Sequence, residues 1–206
     1  TTFLLPPTDP ASDYRVRIFT TSLELPFAGH PTLGSCHAWL ATGGQPRDPT
    51  RIVQECAVGL VTVVSDGDDG LAFAAPPLRR GGPLDAPTLD RVVEVLGIDH
   101  AAVVDAAWVD NGPGWLGVLL ADAEAVLALS PADSDLKIGV VGPHPAGSGA
   151  AYEVRAFFPE GTHTFEDPVT GSLNASLAQW LVGAGRFTPP YSATQGTVLG
   201  RSGRVD

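Results

Sequence analysis

Tyr14–Thr20 (YRVRIFT) alternates apolar and polar side chains. Its Tyr, Val, Ile and Phe suit a pleated chain, so the segment predicts a β-strand. Thr1–Leu5 (TTFLL) predicts a strand as well, and Leu23–Phe27 stays extended up to Pro26. From Pro31 to Thr42 the apolar residues Leu33, Cys36 and Leu40 recur at helical spacing. Pro in the first turn and Gly43-Gly44 past the end bound a short helix there. Arg51–Val64 predicts a hairpin turning near Val58-Gly59, and Leu71–Ala75 a further strand closed by Pro76-Pro77.

Residues 76–87 (PPLRRGGPLDAP) lack any period and predict a linker. Thr88–Leu96 follows as a helix with Leu89, Val92, Val93 and Leu96 on one face and Gly97 at its end. Ala106–Val109 and Trp115–Leu120 predict strands on either side of the turn Asn111-Gly112-Pro113-Gly114. Ala123–Leu129 predicts a short helix before Pro131, and Ile138–Pro143 and Tyr152–Pro159 predict strands. Pro168–Val182 carries the clearest helical pattern, with Leu173, Leu177, Trp180 and Leu181 on one face and Gly183 after it.

Composition narrows the function. The chain has 206 residues, 44% hydrophobic and 17% charged, enough apolar side chains to bury a core. Its 23 acids against 12 bases give a net charge of −11, a field that repels phosphate backbones and anionic lipid headgroups. No nucleic-acid partner and no membrane partner is therefore expected. No apolar run approaches the roughly 20 residues that span a bilayer. Two Cys residues cannot build a disulfide framework, which favours a reducing, cytoplasmic location. The five His residues are scattered and predict no metal site. No Met is present, so the sequence is expected to be part of a longer translation product.

The most informative pattern is a repeat with a period near 137 residues. Tyr14-x-Val16-Arg17-x-Phe19 recurs as Tyr152-x-Val154-Arg155-x-Phe157. His30-Pro31-Thr32-Leu33-Gly34-Ser35 then recurs as Asp167-Pro168-Val169-Thr170-Gly171-Ser172. Each half thus holds a strand, a polar residue and a Pro-initiated helix whose first-turn amides are sterically open. Such a helix start attracts anions through its free N–H groups and its dipole. The titratable residue expected just before each helix is His30 in one half and Asp167 in the other. A duplicated fold would face the two helix starts across a cleft and hold an anionic substrate between a base and an acid. Asp167 has a second role open to it as a helix N-cap, and His30 one as a structural loop histidine. Cys36 is expected to be a small core residue.

Glu24-Leu25-Pro26-Phe27-Ala28-Gly29-His30-Pro31-Thr32-Leu33-Gly34 and Glu166-Asp167-Pro168-Val169-Thr170-Gly171-Ser172 resemble the two signature segments of the phenazine-biosynthesis isomerase-like (PhzF) family. Arg17-Ile18-Phe19, Asn111-Gly112-Pro113, Gln195-Gly196 and Gly200-Arg201 extend the resemblance over almost the whole chain. It implies an α+β protein with the diaminopimelate-epimerase-like fold. That fold has two similar lobes, each a curved sheet or barrel around a central helix, with the active site in the cleft between them. The lobes would comprise 1–84 and 85–206. The resemblance implies catalytic roles for His30 and Asp167, and substrate contacts, largely to a carboxylate, for Gly29, Gly171 and Ser172. It also implies that the family's Glu, its main acid/base, would lie immediately before Thr1.

The expected activity is an isomerisation that moves a proton on a small carboxylate-bearing molecule by acid/base catalysis. The resemblance implies no cofactor and no metal, and a homodimer. Two alternatives stay open from the residues alone: an amino-acid epimerase or racemase of the same fold, and a catalytically silent binding or scaffold protein.

Overall fold

The computed structural model describes residues 1–21, 23–65, 70–75 and 77–206. The chain divides into two compact units, Thr1–Pro76 and Pro77–Asp206. In the first, β1 (Thr2–Leu5), β2 (Tyr14–Phe19), β3 (Glu24–Leu25), α1 (Gly29–Ala41), β4 (Arg51–Cys56), β5 (Gly59–Ser65) and β6 (Leu71–Phe73) follow one another. Their sheet runs β1-β2-β4-β5-β6, with β3 also paired to β2. The alternation in β2 sends Tyr14, Val16 and Ile18 inward, where they meet Cys36 of α1 and Ile52 and Val63 of β4 and β5. Each aliphatic side chain buried there contributes about 1.5–3 kcal/mol. Tyr14 stacks on Trp39 with ring centroids 5.0 Å apart, and its buried hydroxyl donates to Gln54 Oε1 at 2.9 Å.

The second unit contains β7 (Arg80–Pro83), α2 (Ala86–Leu96), β8 (Val103–Asp110), β9 (Leu116–Leu120), α3 (Ala123–Leu127), β10 (Ile138–Pro143), β11 (Tyr152–Glu160), β12 (His163–Asp167), α4 (Gly171–Gly183), β13 (Ala193–Gln195) and β14 (Gly203–Val205). Its sheet runs β14-β13-β11-β10-β9-β8-β7, with β12 on β11. The strands β9 and β10 are parallel, and both read as nearly continuous apolar runs because both faces of the sheet are covered. Leu173, Leu177 and Leu181 of α4 pack with Leu119, Val141 and Val154. Val92 and Leu96 of α2 and Val126 of α3 pack with Leu116, Val118 and Val140. Gly117 and Gly139 stand opposite each other across β9 and β10. A Cβ at Gly139 would lie 2.2 Å from Leu173 Cδ1, and one at Gly117 would lie 2.9 Å from Trp180. The missing side chains let α4 settle onto the sheet.

The α+β class and most predicted elements are present. Residues 80–83, expected within a linker, form β7 instead, an edge strand paired with β8. Helix α2 starts two residues earlier than its apolar period suggests, because Asp85 caps it by accepting from Thr88 N at 2.9 Å. The short strands β12, β13 and β14 carry no apolar period of their own and form by pairing with neighbours.

The repeat is real at the level of topology. Strands β1 and β10 pair antiparallel with β2 and β11; β3 and β12 pair antiparallel on the same two strands; β4 and β13 pair parallel with them. Helices α1 and α4 intervene at equivalent places, each 13 residues long. The register differs from the motif repeat. Tyr14 corresponds to Tyr152, but from Glu24 onward the match shifts to Glu166, and Gly29 falls on Gly171. His30 therefore occupies the position of Ser172, and Asp167 that of Leu25.

Candidate active site

Side chains decide which helix starts are open. Asp85 caps α2, and Asp122 caps α3 by accepting from Ala125 N at 2.8 Å. Neither α1 nor α4 has a side-chain cap or an acid in its first turn. Ala28 precedes α1 and has nothing to cap with. Thr170 precedes α4 and is a residue type that usually caps. Its hydroxyl is committed elsewhere, donating to Asp167 Oδ2 at 2.7 Å and accepting from Gln195 Nε2 at 3.0 Å. Both starts thus keep first-turn donors and the positive end of the helix dipole for an anion.

Asp167 ends β12, opposite Ala156, with its side chain half-buried. Fully buried Gln195 ties this segment together. Its Nε2 donates to the Asp167 carbonyl at 2.9 Å, and its Oε1 accepts from Thr170 N at 3.0 Å and Asn174 Nδ2 at 2.8 Å. Gly196 follows at φ +86, and a Cβ there would lie 2.6 Å from the Pro168 carbonyl oxygen. Only glycine permits both that backbone and that approach.

Ser172 is the second residue of α4 and is half-buried. Trp115 Nε1 donates to its Oγ at 3.1 Å, which leaves the hydroxyl proton free to point at a ligand. The Ser172 carbonyl accepts from Asn111 Nδ2 at 2.9 Å and Ser176 Oγ at 2.8 Å. Asn111 is 4% exposed, and its Oδ1 has no hydrogen-bond partner. The turn carrying Asn111 is held by Asp110 Oδ1, which accepts from Gly112 N and Gly114 N, both at 2.6 Å.

In the first unit His30 is the second residue of α1 and is exposed, while Gly29, the first, is buried. Thr32 anchors this turn by accepting from Gln54 Nε2 at 3.1 Å, the same Gln54 that receives the Tyr14 hydroxyl. Cys36 lies wholly buried one turn further on, and desolvation pushes its thiol above the usual range. It packs as a core residue, as its sequence context suggests.

The sequence reading put one titratable residue directly ahead of each helix, and the structure corrects that. His30 is inside the first turn of α1, and Pro31 is its third residue. Asp167 lies three residues ahead of the Thr170 cap, so it does not cap α4 itself. Helix α4 cannot start at Pro168 because Gln195 holds the Thr170 amide in an extended conformation. In the second unit Asp167, Gly171 and Ser172 fall within one hydrogen-bonded segment, 167–174. Gln195, Thr170, Asn111 and Trp115 hydrogen-bond to that segment, and none of them is a candidate site residue in the sequence. In the sequence Asn111-Gly112-Pro113 reads as a turn and as part of the resemblance, and Gln195-Gly196 only as part of the resemblance. Among the described residues, no group of three or more His, Cys, Asp or Glu side chains is placed to hold a metal, and no helix is long and apolar enough to cross a membrane.

The repeated strand–helix unit, with its two uncapped helix starts, matches the duplicated architecture that the resemblance implies. The chain belongs to the phenazine biosynthesis-like protein family, whose model matches residues 1–206. It is 35% identical to antisense-enhancing sequence 1 of Schizosaccharomyces pombe, over 98% of this chain and 73% of that one. It is 31% identical to the trans-2,3-dihydro-3-hydroxyanthranilate isomerase of Pseudomonas fluorescens, over 97% of this chain and 71% of the relative. Among solved structures, a PhzF-family phenazine biosynthesis protein of Bacillus anthracis shares the fold with a TM-score of 0.74 at 17% identity, covering 98% of this chain and 73% of the other.

Proposed function

We propose that the protein is a cofactor-independent isomerase that shifts a proton between two carbons of a small carboxylate-bearing substrate. The observation that carries this reading is the start of α4. There, uncapped amides and the Ser172 hydroxyl, whose proton has no partner among the described hydrogen bonds, can receive a carboxylate, and Asp167 stands within the same hydrogen-bonded segment. Gly171 and Gly29 are the first residues of the two helices and carry no side chain to cover the first-turn amides. Asp167 and His30 are the proton-exchanging groups of this reading, a carboxylate and an imidazole that can each accept a proton from an activated carbon or donate one to a new position. No net redox change is required. Amides and Ser172 stabilise the negative charge that develops on the carboxylate side. The relative's substrate, trans-2,3-dihydro-3-hydroxyanthranilate, is the first compound to test.

Incubation in heavy water, followed by proton nuclear magnetic resonance, reads both isomerisation and deuterium uptake at the carbon that receives the proton. His30→Asn and Asp167→Asn are each expected to lower kcat by about 100-fold or more while leaving the thermal midpoint in place. Turnover that survives both substitutions would refute the assignment.

A further inference from the structure

We infer that Thr170 is a positioning residue for Asp167: its hydroxyl proton is fixed on Oδ2, so that Oδ1 is the oxygen through which Asp167 exchanges a proton with a substrate. The inference rests on reading Asp167 as a proton-exchanging group. Gln195 sets the direction of each hydrogen bond in the cluster. The Asp167 carbonyl can only accept, so the Gln195 atom 2.9 Å from it is Nε2. The Thr170 N–H can only donate, so the atom 3.0 Å from it is Oε1, which Asn174 Nδ2 also meets at 2.8 Å. Turning the Gln195 amide over would set like groups against each other at both ends. Its Nε2 therefore donates to Thr170 Oγ1 at 3.0 Å. A hydroxyl has one proton, and with Gln195 on its acceptor side the Thr170 proton goes to Asp167 Oδ2 at 2.7 Å.

Gln195 is fully buried and Thr170 is 7% exposed, so water competes little for these bonds. The two oxygens of Asp167 are thereby unequal. Oδ2 keeps its donor whether or not a ligand is present. Oδ1 has no partner among the described hydrogen bonds, and it is not one of the unpartnered side-chain oxygens sealed from solvent. A proton delivered to Oδ1 leaves the Thr170 bond on Oδ2 unbroken, and that bond holds the carboxyl plane in place for the transfer. The repeat supports the pairing. In the first unit Leu25 stands at the place of Asp167 and Ala28 at the place of Thr170, so the carboxylate and its hydroxyl partner are absent together.

Steady-state kinetics in the heavy-water assay, with trans-2,3-dihydro-3-hydroxyanthranilate as the test compound, separates kcat from KM. Thr170→Val keeps the shape of the side chain and removes its proton. It is expected to lower kcat about tenfold and to leave KM within about twofold of the parent. Thr170→Ser keeps the hydroxyl and should hold kcat within about threefold of the parent. A residue that only held the fold would show in the thermal midpoint and in KM, not in kcat alone. Parental kcat in Thr170→Val overturns the role of Thr170, and the reading of Asp167 then still stands if Asp167→Asn has lost turnover. Turnover that persists in Asp167→Asn, or a parent that does not convert the compound, overturns that reading and the inference with it. If Thr170→Val does not fold, the Thr170 hydroxyl proton of the parent decides by nuclear magnetic resonance. A signal protected from exchange with water and shifted in Asp167→Asn supports the contact. A hydroxyl that exchanges as fast as that of free threonine overturns it.

Discussion

Thr170 and Ala28 hold the same place, one residue ahead of a 13-residue helix, and neither caps it. Alanine has no acceptor, and the threonine hydroxyl is drawn to Asp167 and Gln195. Two different residues thereby leave the same open helix start. Elsewhere a single carboxylate does the opposite and satisfies a whole loop. Glu55 accepts from the Thr8 hydroxyl, from the backbone N–H groups of Asp9 and Thr8, and from the Ser12 hydroxyl. The Thr8 hydroxyl is the largest cause of its depression, from 4.5 to about 2. A depressed carboxylate stabilises the fold above its unfolded value and loses that contribution as pH falls through its folded value. Glu55→Gln should therefore lower the urea midpoint at pH 7, and the gap to the parent should narrow between pH 4.5 and about 2. A gap that stays constant over that window would show that the loop is held by something else.

Among the elements, α4 depends on how closely it lies on β9 and β10. Leu173 fills the space where a side chain at residue 139 would stand. Gly139→Ala should destabilise the protein by about 1–3 kcal/mol by overpacking, measured by urea unfolding. The same displacement moves Ser172, so affinity for a carboxylate ligand should fall with it. Helical period alone located the body of α4, because Leu173, Leu177 and Leu181 all face the sheet. It misplaced the start by three residues. Asp167-Pro168 has the local chemistry of a cap and a first helical residue. A partner distant in sequence, Gln195 on β13, outweighs it by taking the Thr170 amide. Strands β13 and β14 are three residues each and gain their order from pairing, which no local pattern announces.

At the scale of the whole molecule the two units repeat an ion pair as well as a topology. Arg17 Nε and Nη2 donate to Glu24, and Arg155 Nε and Nη2 donate to Glu166, through the same atoms. Their surroundings differ. The side chains of Arg17 and Glu24 are 46% and 37% exposed, while those of Arg155 and Glu166 are 4% and 10% exposed. Arg155 also uses Nη1 to bind the Val126 and Leu129 carbonyls at 3.2 and 2.7 Å, which holds the end of α3. Arg155→Ala should cost about 3–5 kcal/mol, because it leaves a buried carboxylate and buried carbonyls unpaired. Arg17→Ala should cost no more than about 1 kcal/mol, as water replaces the partner. Equal losses in denaturant unfolding would mean that the buried pair is not isolated from solvent.

By itself the sequence determined the α+β class, the duplicated strand-and-helix unit and the family. These rest on local apolar period and on short motifs, and both are properties of neighbouring residues. It singled out His30, Asp167, Gly29, Gly171 and Ser172 in the same way. Only tertiary structure decided the register of the repeat, the residue at which α4 begins and the company Ser172 keeps. Those follow from hydrogen bonds between residues far apart in the chain, Gln195 to Thr170 and Asn111 and Trp115 to Ser172. A buried polar group must find a partner wherever the fold brings one, and the order of residues along the chain does not say where that will be.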